Sequence, residues 1–63
     1  MTTFTKLREY VDEKKQSHPH LAEVFEDYYA LAIAEVEQGG SRQHEINLCY
    51  GSIDELIEEE KVS

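Results

Sequence analysis

The sequence predicts an all-α protomer of three to four short helices, one domain over residues 1–63, that pairs with a second copy into a homodimeric helix bundle. Apolar residues recur at three- and four-residue spacing along most of the chain, the period of a helix with one buried face. Pro19, Gly39, Gly40 and Gly51 punctuate that pattern and divide it into segments of about 3–16, 19–38, 42–50 and 53–60. The stretch FEDYYALAIAEVEQGG, residues 25–40, carries a wider apolar face than one small core requires.

In the first segment Phe4, Leu7, Tyr10 and Val11 form a narrow stripe, and Thr3 stands where its hydroxyl can accept from a free backbone N–H. The helix is expected to end near Gln16, because Pro19 lacks an N–H and restrains the residue before it. Pro19 also suits a first helical position, so the second helix is read from there to Gln38, with Gly39 and Gly40 as a left-handed stop. On a wheel Leu21, Val24, Phe25, Tyr28, Leu31 and Ala32 make one stripe. Ala22, Tyr29, Ile33 and Val36 widen it to roughly 200°, about twice what one core needs.

In SRQHEINLCY, residues 41–50, Ile46, Cys49 and Tyr50 fit a short helix, while Ile46, Leu48 and Tyr50 fit an alternating strand. The helix is preferred, since a lone strand has no partner in this chain. Ser52 and Glu55 then match a capping box, and Ile53, Leu56 and Ile57 give a last helix its apolar face, with an end expected to fray at Glu58, Glu59 and Glu60.

Fourteen Asp and Glu against six Lys and Arg set the net charge at -8, and residues 1–16 hold four of those six cations. Binding to nucleic acid phosphates is disfavoured, because that affinity comes from cations releasing counterions. A basic partner is the better electrostatic match. MTTFTKLREY lacks the apolar core of a signal peptide, and no run approaches the roughly 18 apolar residues of a membrane span, which predicts a soluble intracellular protein. One cysteine allows no internal disulfide, and a domain this short buries only about 60% of its unfolded surface, so oligomerisation is the expected source of added stability.

Chemistry-bearing residues are few. His18 and His20 form the one His-x-His, with His44 as a companion, but the intervening proline restrains convergence on a metal and no metal is expected. Cys49 and His44, five residues apart, point in different directions on a helix, so Cys49 reads as a small buried hydrophobe and no catalytic residue is expected. No phosphate-binding glycine motif and no cofactor signature is present. Phe25, Tyr28, Tyr29, Ala32, Ile33 and Val36 are the candidates for the seam between two copies. Leu48 and Tyr50 are candidates for an exposed partner patch, and so is Glu35, which interrupts the apolar arc and could pair with Arg42 across an interface.

As a whole, from MTTFTKLREYVDEKKQSHPH onward, the chain resembles the small early proteins encoded in the exo-xis region of bacteriophage lambda and related temperate phages. The resemblance implies a non-enzymatic regulator in the host cell cytoplasm, which favours lytic development through contacts with a host or phage protein. The competing expectation is an acidic DNA mimic that blocks a basic nucleic-acid-binding protein.

Overall fold

The computed structural model describes residues 3–62, without the side chain of Val62; Met1, Thr2 and Ser63 of the expected domain lie outside the described residues. The fold is all-α, with helices α1 (Phe4–Ser17), α2 (Ala22–Glu37) and α3 (Arg42–Val62) and a 3₁₀ turn (Pro19–Leu21) after α1. Helix α2 packs against both others, whereas α1 and α3 meet over a shorter seam.

Thr3 caps α1: its Oγ1 accepts from the Lys6 N–H at 3.2 Å. Lys14 and Lys15 stand in the last turn, where cations favour the negative end of the helix dipole. The His18 N–H closes the helix on the Lys14 carbonyl at 2.8 Å, and Pro19 then starts the 3₁₀ turn that leads into α2. The second helix is therefore read three residues early in the sequence: Pro19 to Leu21 make the tighter turn and α2 starts at Ala22.

The stop of α2 needs both glycines. Gly39 has φ +103°, and its N–H donates to the Val36 carbonyl at 3.0 Å while the Gly40 N–H donates to the Glu35 carbonyl at 2.9 Å. A Cβ on Gly40 would lie 2.8 Å from that carbonyl oxygen, closer than the two atoms can approach.

Helix α3 corrects the sequence reading. It runs unbroken from Arg42 to Val62, where two helices of about 42–50 and 53–60 are expected. Ile46, Cys49, Ile53 and Ile57 recur at spacings of three and four straight through Gly51, so one buried stripe holds the helix together despite the roughly 1 kcal/mol a mid-helix glycine costs. Ser52, expected as a cap, is an interior helical residue. The acidic end is helical too, and Glu60 Oε2 meets His20 Nε2 at 2.6 Å.

Leu7 and Val11 of α1, Phe25 and Ala32 of α2, and the four α3 residues form the core, and among the described residues nothing polar is buried. Phe25, Leu7, Ile46, Ile53 and Val11 are its largest fully buried side chains, each contributing about 1.5–3 kcal/mol of burial. Phe25 and Ala32, expected between copies, thus pack inside one chain at 0% and 3% exposure. The opposite correction applies to Leu31 and Val24. The wheel places them in the core stripe, yet they are 59% and 37% exposed, because α1 and α3 cover only part of the wide arc on α2.

Candidate functional site

The apolar surface left outside gathers between α2 and α3. On α2, Tyr28, Leu31 and Ala32 share one flank through three- and four-residue spacing; on α3, Glu45, Leu48, Ser52, Glu55 and Glu59 do the same. The two flanks enclose an open groove in two parts. One cleft of about 170 Å³ is lined by Leu31, Leu48, Tyr28 and Glu45 over a floor of Ala32, Cys49 and Ser52. The other, about 180 Å³, continues along Tyr28 and Ser52 to Glu55, Leu56 and Glu59. Leu48 is 52% exposed and faces Leu31 across the groove.

The groove is acidic. Glu45, Glu55 and Glu59 line it with no Lys, Arg or His among the lining residues, and they form no ion pair among the described residues. Lys6, Arg8, Lys14 and Lys15 all belong to α1, and the Arg42 guanidinium lies 6.0 Å from the Phe4 ring of the same helix.

Between α1 and α2 the charges are matched. Arg8 Nη1 donates to Glu26 Oε2 at 3.0 Å, its Nη2 donates to Glu26 Oε1 and to Asp12 Oδ1, and Lys15 Nζ reaches Glu26 Oε1 at 2.6 Å. The Arg8 hydrogen bonds, followed by that from Lys15, hold the Glu26 carboxyl down at about 2. The same bonds to Glu26 and Asp12 raise Arg8 above its ordinary range. The Tyr29 ring lies under the Arg8 guanidinium, 4.9 Å from its centroid, and edge-on to Phe4 at 6.3 Å.

The predicted site residues divide among three places. Tyr28 and Leu48 meet in the groove. Tyr29, Ile33 and Val36 are half-buried on α2, Tyr29 at the α1 seam. Tyr50 lies away from Leu48, against Tyr10 with ring centroids 4.8 Å apart, because two helical residues two apart point about 200° from each other. The single patch expected around Leu48 and Tyr50 is therefore split. Glu35 is exposed and its carbonyl accepts from Gly40, and the Arg42 guanidinium lies 6.0 Å from the Phe4 ring. Besides Glu45, Glu55 and Glu59, the groove residue that the sequence does not single out is Leu31. The signal was its place at the margin of the arc, beside Asp27 and Glu35 on the wheel.

Burial and the hydrogen bond to Asp54 raise the Tyr10 hydroxyl, and burial raises that of Tyr50. Burial also pushes the Cys49 thiol up to about 11, the reverse of what a nucleophile needs. His18 Nδ1 is 3.0 Å from Ser17 Oγ, and no group of three or more metal-ligating side chains gathers among the described residues. No helix of the described residues is long and apolar enough to cross a membrane.

The chain matches no protein-family model, no curated protein and no solved structure.

Proposed function

We propose that the chain is a non-enzymatic regulatory protein of a temperate phage, acting in the host cell cytoplasm through protein contacts that favour lytic development. The observation that carries the protein-contact part is the groove: two half-exposed leucines, Leu31 and Leu48, stand together on a surface otherwise dominated by charge. The phage setting comes from the resemblance of the whole sequence to the exo-xis early proteins. Pairing of two copies is part of the proposal. Phe25 and Ala32 are buried within one chain, so the seam draws on Tyr29, Ile33 and Val36, half-buried on the flank of α2 away from the groove.

Two experiments test the reading. Tagged protein expressed in host cells is expected to retain a defined protein in the presence of competing DNA. Recovery only of basic nucleic-acid-binding proteins that DNA displaces makes the chain a DNA mimic instead. Light scattering behind size exclusion is expected to give twice the chain mass for wild type and the single-chain mass for Ile33→Glu; a wild type at single-chain mass over a concentration series removes the dimer.

A further inference from the structure

We propose that the groove between α2 and α3 receives a basic amphipathic helix of a partner protein, with apolar residues seated between Leu31 and Leu48 and Lys or Arg side chains meeting Glu45, Glu55 and Glu59. The inference rests on the protein-contact reading and specifies its surface and its partner's chemistry.

Shape comes first. Glu45, Leu48, Ser52, Glu55 and Glu59 follow one another at intervals of three or four residues, so they form a straight ledge along α3. At 1.5 Å per residue the ledge from 45 to 59 is about 21 Å long, the length of a helix of roughly 14 residues. A helix laid in a groove presents anchors at that same interval. The two clefts, about 170 and 180 Å³, share Tyr28 and Ser52 and are open to solvent, a shape that suits an elongated occupant.

Charge selects the occupant. Glu45 borders the apolar part of the groove and Glu55 and Glu59 its polar continuation, without a cation among them, while the chain's Lys and Arg, Lys61 excepted, belong to α1 or lean over it. A bound helix with Lys or Arg flanking its apolar stripe supplies what the ledge lacks, and its leucine-like residues cover Leu31 and Leu48. A second copy is the poorer occupant, since a two-fold contact through this surface sets the Glu45, Glu55 and Glu59 rows against one another.

The test uses a defined probe, a fluorescently labelled 14-residue Leu/Lys peptide with one apolar face, and a scrambled peptide of equal composition without that face. Anisotropy titrations of the full chain are expected to show the scrambled peptide binding about tenfold or more weakly, and the L31S/L48S variant losing a similar factor for the amphipathic one. Backbone amide shifts in the NMR spectrum are expected to concentrate at Tyr28, Leu31, Glu45, Leu48 and Glu55. Glu55→Gln with Glu59→Gln is expected to weaken binding and flatten its salt dependence while leaving the thermal melt near that of wild type.

Equal affinity for the two peptides overturns the proposal in favour of a general acidic surface. Absence of peptide binding, shifts confined to α1, or an unchanged L31S/L48S variant also overturns it. A fall from double to single chain mass in L31S/L48S overturns it in favour of a second copy. If the groove fails while a captured cellular protein still binds, the protein-contact reading survives and the contact lies elsewhere; if neither binds, both fall.

Discussion

The two sides of α2 handle charge in opposite ways. Toward α1, Glu26 is met by Arg8 and Lys15, and the guanidinium that binds it also covers Tyr29. Toward α3, Glu45 stands beside the exposed Leu31 and Leu48, and Glu55 and Glu59 continue along the groove, with no ion pair to any of the three among the described residues. The difference separates two uses of one surface. Matched charges join helices within the chain, while unmatched charge beside apolar area contributes little to folding.

The largest expected effect removes both sides together. Phe25 is fully buried and belongs to the core that all three helices share, so Phe25→Ala is expected to cost about 3–5 kcal/mol, enough to abolish the cooperative thermal melt followed by circular dichroism in so small a domain. A sharp transition near that of wild type would show that the two sides do not depend on one core.

Glu26→Gln breaks the matched side alone. Its carboxylate is 36% exposed, so after allowance for solvent screening the loss is about 1 kcal/mol, or roughly 4–8 °C in Tm. The pH dependence has a definite sign. Because the folded carboxyl is held at about 2 against an ordinary 4.5, its contribution is present above pH 4.5 and is lost as the pH falls toward 2. Urea titrations across that window are expected to show a shallower fall for Glu26→Gln than for wild type; parallel curves would mean that Arg8 and Lys15 do not act through this carboxylate.

Gly51→Ala sharpens the unmatched side. A Cβ at Gly51 meets nothing within 4 Å, and the residue is interior to α3, so alanine is expected to raise stability by about 0.5–1 kcal/mol. A loss would mean that α3 breaks at this point and that the groove lacks its straight ledge. The smallest effect belongs to L31S/L48S, expected within about 0.5 kcal/mol of wild type in the same melts, since both side chains are already half in solvent. A drop of several kcal/mol would place them in the core and erase the contrast between the two sides.

Much of this architecture is legible in the residues. The Thr3 cap, the break at Pro19 and the Gly39–Gly40 stop depend on local backbone chemistry, which a single sequence carries in full. Gly51 and Ser52 mislead because their local preference for a break is overridden by a stripe, Ile46, Cys49, Ile53 and Ile57, that is continuous only when its packing against the rest of the chain is known. The groove was half legible. The width of the apolar arc on α2 showed that something would be left over, but which margin stays open depends on the angles at which α1 and α3 approach. That is why the wheel puts Leu31 with the core, and why Leu48 and Tyr50, two residues apart in sequence, suggest one patch that the helix divides.

Cys49 is the groove's floor and also a timer. The residue is 4% exposed and its thiolate is disfavoured, so a small disulfide reagent labels it slowly and faster in those moments when α3 lifts away from α2. The rate of labelling in the unmodified protein therefore counts openings of the very seam at issue, and a molecule lodged above the floor lowers the count.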